Sequence, residues 1–302
     1  MSAKHPVVAV TGSSGAGTTY VRDAFINIFR REGINAGIIE GDSFHSLTRE
    51  EFKQGVEEAT NRGDNHLSHF GPRANDFKAL QNCFKEYGEH GTTKQRHYLH
   101  NKEEADNHSL RLNMPLKVGE FTPWEDIPDN TELILYEGLH GMVVDQEQDI
   151  DVTPYVDLGI GVVPSVNLEW IQKIHRDHAE RGYNEQQVID TILRRMPDYI
   201  NYITPQFSLT DMNFQRVPMV DTSNPFIARD IPSLDESKVV IRFQRPSKYN
   251  IDFPFLLDMI EHSFMSRRNT IVVPGNKMSL AMETILTPIL ERLLEESKPL
   301  QQ

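Results

Sequence analysis

The run Gly12-Ser13-Ser14-Gly15-Ala16-Gly17-Thr18-Thr19 places glycines and hydroxyls between an apolar stretch and a helically periodic one. Glycines at 12, 15 and 17 let the backbone fold tightly. Successive N–H groups can then point inward at a phosphate beside the positive end of the following helix. A loop of this kind between a strand and a helix binds nucleotide phosphates, and Thr19 falls where a hydroxyl would face Mg²⁺. Thr18 stands where the general pattern carries a Lys that contacts the β- and γ-phosphates, so another cation must supply that charge. The alternative is a Gly/Ser turn of an α/β fold that binds no phosphate.

Two acidic residues close apolar runs. Asp42 follows Ile38-Ile39-Glu40-Gly41, and Glu137 follows Leu133-Ile134-Leu135-Tyr136 and precedes Gly138. In open α/β sheets ligands bind outside the carboxyl ends of the strands. Phosphoryl transfer to a hydroxyl needs a proton acceptor there, and carboxylate oxygen for a metal ion. Asp42 and Glu137 could divide those tasks. Asp42 could also simply cap the turn that follows it, and Glu137 could be an ordinary strand-end acid.

The missing loop cation is sought on the stretch 167–182, Asn-Leu-Glu-Trp-Ile-Gln-Lys-Ile-His-Arg-Asp-His-Ala-Glu-Arg-Gly. On a helix Lys173, Asp177 and Arg181 lie along one face with Arg176 beside them. Such a stripe can be a solvated face held by ion pairs. A transfer site without its loop Lys makes Lys173 or Arg176 the best-placed substitute. His45 and Arg49 lie just beyond Asp42, and Arg96, His97, Tyr98 and His100 form a further polar cluster. Arg194 and Arg195 end a periodic segment that begins near Glu185, and Arg30 and Arg31 end the first helix; cations there complement the negative helix terminus.

The elements that position these residues begin with a βαβ unit. Residues 7–11 read as a buried strand, 18–31 as a helix with Val21, Phe25, Ile28 and Phe29 on one face, Gly33 as its stop, and 36–40 as a second strand. Apolar runs at 133–136 and 158–163 read as central parallel strands. Residues 48–61 and 74–87 read as amphipathic helices, and 95–100, 116–121, 239–243 and 270–273 as further strands. Residues 279–297 form a helix interrupted or kinked at Pro288. Residues 145–152, rich in Asp and Glu, are expected as a surface loop. The pattern gives the α/β class: one domain over 1–302, with a doubly wound, largely parallel or mixed sheet flanked by helices, of the phosphate-loop kinase kind.

Composition limits the partners. There are 44 acidic against 31 basic residues, a net charge of −13, which disfavours nucleic acid and anionic membrane. A phosphorylated small molecule remains compatible, since a few cations in a cleft focus potential locally. Cys83 is the one cysteine, so no intrachain disulfide can form, and it is expected to be a buried hydrophobe. No apolar run is long enough for a signal segment or a membrane span, and a cytoplasmic setting is expected. The 12 histidines show no zinc-type spacing.

These residues, together with Tyr136-Glu137-Gly138-Leu139-His140-Gly141, Trp170-Ile171-Gln172-Lys173-Ile174-His175-Arg176-Asp177 and Asp221-Thr222-Ser223-Asn224-Pro225-Phe226-Ile227-Ala228-Arg229, resemble the proteobacterial phosphoribulokinases. The resemblance spans nearly the whole chain. It implies transfer of the ATP γ-phosphoryl to O1 of D-ribulose 5-phosphate, giving ribulose 1,5-bisphosphate for Calvin-cycle carbon fixation. By the resemblance Asp42 is the general base, and Glu137 and Asp177 are carboxylates near Mg²⁺. Lys173 and Arg176 steady the transferring group, and His45, Arg49, Tyr98, His100 and Arg181 hold the sugar phosphate. It further implies NADH activation and AMP inhibition, with Arg31 in the effector site and Arg194 and Arg195 at or near it, and assembly as a homo-octamer. The thiol switch of plant-type relatives is excluded, because the loop has no Cys. A uridine-kinase-like enzyme is the competing enzymatic reading, although such kinases keep the loop Lys. A non-catalytic nucleotide sensor is the competing reading of another class, and retention of Asp42, Glu137 and Asp177 together argues against it.

Overall fold

The computed structural model describes residues 4–13, 18–64, 67–181, 184–227 and 230–301, without the side chains of 18, 19 and 179–181. Its centre is an eight-stranded sheet. The strands are β1 (Val7–Thr11), β2 (Ala36–Glu40), β3 (Leu133–Gly138), β4 (Leu158–Val163), β5 (Met212–Pro218), β6 (Ser237–Phe243), β7 (Phe264–Arg267) and β8 (Thr270–Pro274). Their order is β7-β8-β6-β5-β4-β1-β3-β2. The five strands from β2 to β5 across the sheet are parallel, and β6, β8 and β7 extend it antiparallel.

The central strands read as continuous apolar runs because helices cover both faces. On one face α1 (Thr18–Glu32) and α8 (Met278–Gln301) bury Phe25, Ile28, Ile285, Leu286 and Leu290 against Val8, Val10 and Leu135. On the other, α3 (Phe77–His90) buries Phe77, Leu80, Phe84 and Tyr87 against Val7, Ile39 and Tyr136. Local signals delimit these helices. Asp76 accepts from Ala79 N at the start of α3, and Gly91, at φ 72°, ends it in the left-handed region. Helix α2 (Arg49–Asn61) opens on a Thr48–Glu51 capping box. Cys83 is buried, and burial pushes its thiol up to about 12.

Three expectations are corrected. Residues 95–100 and 116–121 are not strands: only Lys94–Gln95 pairs, with Glu125–Asp126, and Tyr98 meets Phe121 as an isolated bridge. Gly119, at φ 86°, breaks the second run. Three backbone bonds, Leu99 N to Glu120 O, Gly119 N to Leu99 O and Thr122 N to His97 O, join the two runs without extending into a ladder, and His97 N turns instead to Thr122 Oγ1 at 2.9 Å. Residues 145–152 contain a tight hairpin, Val144–Asp145 with Ile150–Asp151, whose Ile150 and Val152 are buried against the α3 side of the sheet. Helix α8 runs unbroken through Pro288 because its apolar face is packed along its length. Elements the sequence did not suggest are β5, β7, α4 (Lys102–Leu112) and α7 (Phe253–Met259). Asn213, Gln215 and Arg216 interrupt the apolar pattern of β5, and α4 is polar nearly all round.

Candidate functional site

The parallel register decides which residues share the site. Thr11 pairs with Gly138 across β1 and β3, and Glu40 with Glu137 across β2 and β3, so three carboxyl ends finish side by side. Gly12 leaves β1 with its N–H on Gly138 O at 3.1 Å. Gly41 and Gly138 then bring two chain segments into van der Waals contact. A Cβ on Gly41 would stand 2.7 Å from both Gly138 Cα and the Tyr136 hydroxyl. Gly41→Ala must therefore push the Asp42 turn outward. We expect a stability loss of about 1–3 kcal/mol and a fall in kcat of about tenfold or more from misplacement of Asp42. Thermal melts and steady-state kinetics check both, and wild-type kinetics would show that the close approach is immaterial.

Asp42 sits in the short turn Gly41–Phe44 after β2. Its Oδ1 is 3.1 Å from His45 Nε2 and its Oδ2 is 3.2 Å from His100 Nε2. Burial pushes the Asp42 carboxyl up, but the bonds from His100 and His45 together outweigh it and hold the group well below the usual carboxylate range. The Asp42 bond in turn raises His100. His45 is fixed from behind, its Nδ1 lying 2.8 Å from Asn75 Oδ1, while the Asn75 amide donates to His69 O and Gly71 O. Arg49 donates to His100 O at 2.9 Å and lies 6.0 Å from the Tyr98 ring centre. Arg96 clamps this wall: it donates to Ser43 O and His45 O and stacks on Phe121 and Trp124.

Gly12, Glu40, Asp42, Tyr98, His100 and Glu137 line one cleft of about 440 Å³. A second cluster lies on α5 (Val166–Arg181). Lys173 and Asp177, four residues apart and buried, form an ion pair, and Arg176 Nε reaches Asp177 Oδ1 at 3.3 Å. Burial, then the charge of Arg195, lowers the Lys173 ammonium to about 8 against the opposing pull of Asp177. The structure thus brings together Gly12, Asp42, Glu137, His45, Arg49, Tyr98 and His100, and separately Lys173, Arg176 and Asp177. Ser13 is buried. Ser14, Gly15, Ala16 and Gly17 lie outside the described residues, as do the side chains of Thr18, Thr19 and Arg181.

The arginines assigned to an effector site are held by different elements. Arg31 is bound 2.7 Å from Glu283 and 2.7 Å from Thr287 of α8. Arg195, on α6 (Glu185–Asp198), stacks 5.1 Å from Phe70 and acts on Lys173. Arg194 is half-buried on the same helix. Sequence reasoning missed the roles of Arg22, Glu40 and His97 in the cleft wall. Glu40 receives Arg22 at 3.5 Å and His97 at 3.9 Å. Its place at a strand end, two residues before Asp42, was the available signal.

A nucleotide-type loop after β1, carboxylates at neighbouring strand ends and a cationic helix after β4 define the class of phosphate-loop kinases, enzymes that transfer a phosphoryl group to a hydroxyl. The model of the phosphoribulokinase / uridine kinase family matches residues 7–223. A chromosomal phosphoribulokinase of Cupriavidus necator is 56% identical over 298 residues, 99% of each chain. A phosphoribulokinase of Nitrobacter vulgaris is 53% identical over the same share. The solved structure of phosphoribulokinase from Rhodobacter spheroides superposes with a TM-score of 0.87 at 52% identity, covering 98% of this chain and 99% of that one. The chain belongs to the phosphoribulokinase / uridine kinase family.

Proposed function

We propose that this chain, acting as a single kinase domain, transfers the ATP γ-phosphoryl to O1 of D-ribulose 5-phosphate, giving D-ribulose 1,5-bisphosphate and ADP in Calvin-cycle carbon fixation. The observation that carries the reading is that Asp42, held between two histidines, opens into the same cleft as Gly12 at the start of the phosphate loop. Asp42 accepts the O1 proton as the phosphoryl group arrives, and Lys173 and Arg176 balance the transferring charge in place of the absent loop Lys. His45, Arg49, Tyr98, His100 and Arg181 bind the sugar phosphate. A carboxylate stabilised by two imidazoles is a weak base. When the sugar phosphate draws His100 toward its own anionic oxygens, Asp42 loses one of those bonds and its basicity rises.

Gly12, Ser13, Ser14, Gly15, Ala16, Gly17, Thr18 and Thr19 cradle the ATP phosphates in this reading. Among the described residues no group of three or more His, Cys, Asp or Glu forms a metal cage. Mg²⁺ is bound largely through substrate phosphates and one or two carboxylates. Thr19, Glu137 and Asp177 are the groups that would hold it, and its chemistry there is to neutralise charge on the β- and γ-oxygens. Activation by NADH through Arg31, Arg194 and Arg195, assembly as an octamer and a cytoplasmic setting belong to the same proposal. Among the described residues no helix is long and apolar enough to cross a membrane.

ADP release by the purified chain is expected to depend on ribulose 5-phosphate and not on uridine, and to rise with NADH. A preference for uridine would overturn the substrate, and indifference to NADH would remove the effector claim alone.

A further inference from the structure

Glu169 lies in the first turn of α5, four residues before Lys173 and eight before Asp177, and only 8% of it is accessible. Residues at that spacing share one helix face. Its Oε2 makes no hydrogen bond, and neither does Ser13 Oγ, although both atoms are sealed from solvent. The two groups lie just beyond neighbouring strand ends, since Thr11 pairs with Gly161 across β1 and β4. After burial, which pushes the Glu169 carboxyl up, the Ser13 hydroxyl is its strongest influence, followed by the charges of Arg195 and Lys173 and by the Tyr199 hydroxyl. Tyr199 is itself buried, and its ring lies 5.9 Å from Phe70, on which Arg195 also stacks.

A buried polar atom without a partner is costly, and in a native chain it marks a place where something other than stability is served. Here two such atoms belong to the segments that follow β1 and β4, one at Ser13 and one on the helix of the transfer cations. A hydrogen bond between them would satisfy both.

We propose that Glu169 is a positioning residue for phosphoryl transfer: its carboxyl latches Ser13 of the phosphate loop to the face of α5 that carries Lys173, fixing the cation relative to the nucleotide. The proposal rests on the reading of residues 12–19 as the ATP site. The competing account, an acid that merely complements the α5 dipole, gives Glu169 no link to Ser13.

The test is a double-mutant cycle on the full chain, with ATP affinity from calorimetry and both Michaelis constants from kinetics. Glu169→Ala is expected to raise the ATP KM and to lower kcat by about tenfold each, leaving the KM for the sugar phosphate within about twofold. Ser13→Ala alone is expected to weaken ATP binding by about tenfold, and to add less than about twofold in the Glu169→Ala background. Glu169→Gln, which keeps the acceptor oxygen and the volume, is expected to restore most of the loss. Independent multiplication of the single effects, or a wild-type ATP KM in Glu169→Ala, overturns the proposal. A lowered melting temperature with unchanged kinetics points to the dipole account and overturns it equally. If Glu169→Ala does not fold, the cycle of Ser13→Ala with Glu169→Met, which keeps most of the volume and removes the acceptor, decides by the same coupling criterion. Failure of the wild-type chain to bind ATP would instead remove the nucleotide reading, and the latch with it.

Discussion

Asp42→Asn is expected to lower kcat by about 10²–10⁴-fold while ATP affinity is unchanged, since proton acceptance is a transition-state role. The substitution keeps the shape of the side chain and one acceptor oxygen. It removes the negative charge that draws His45 at 3.1 Å and His100 at 3.2 Å, so the wall can loosen locally. Two readouts separate loss of the base from loss of the wall. Equal falls in kcat and kcat/KM for the sugar phosphate indicate a missing transition-state interaction, whereas a raised KM with kcat preserved indicates displaced binding residues. A kcat within about tenfold of wild type would take Asp42 out of the mechanism.

Lys173→Met carries the second large effect. If Lys173 stands in for the cation that Thr18 cannot supply, its loss removes a preorganised charge facing the transferring phosphoryl group. Deleting one such donor typically costs about 10²–10³ in kcat. Folding is also taxed, because the Asp177 side chain is only 3% accessible and loses its ion-pair partner. Breaking a buried pair costs about 3–5 kcal/mol when the survivor is left alone. Arg176 remains 3.3 Å from Asp177, so the loss should fall below that range. Lys173→Arg preserves charge and is expected to recover stability more fully than turnover, because the planar guanidinium does not match a compact ammonium in a buried site. Melting curves and single-turnover phosphoryl transfer measure the two effects. Normal single-turnover rates in Lys173→Met would refute the compensation while leaving the kinase assignment in place.

Four of the five parallel strands were legible because each is a short apolar run bounded by turn residues, whereas β5 is broken by Asn213, Gln215 and Arg216. β1, β2 and β4 carry the expected bounds for that reason, and β3 extends two residues further, to Gly138. The wall of the cleft was not legible as structure. Residues 94–126 are ordered by particular contacts, such as Arg96 on Phe121 and Gly119 in the left-handed region, and such contacts have no period to detect. The burial of Asp145 and the fit of Pro288 into a continuous helix are likewise outcomes of packing that local propensity does not encode.

The sequence by itself determined the chemistry on offer: a glycine-rich phosphate loop lacking its Lys, acids closing apolar runs, and Lys173, Asp177 and Arg181 at four-residue intervals on one helix. Residue types and short-range spacing suffice for that, because loop conformation, strand ends and helix faces are local properties. Only the tertiary structure decided which of these groups meet. The register that sets Glu40 beside Glu137 and Thr11 beside Gly138 joins segments about a hundred residues or more apart. The histidines on Asp42, the stacking of Arg195 on Phe70 and the burial of Ser13 and Glu169 exist only once helices and loops from distant parts of the chain close over those strand ends.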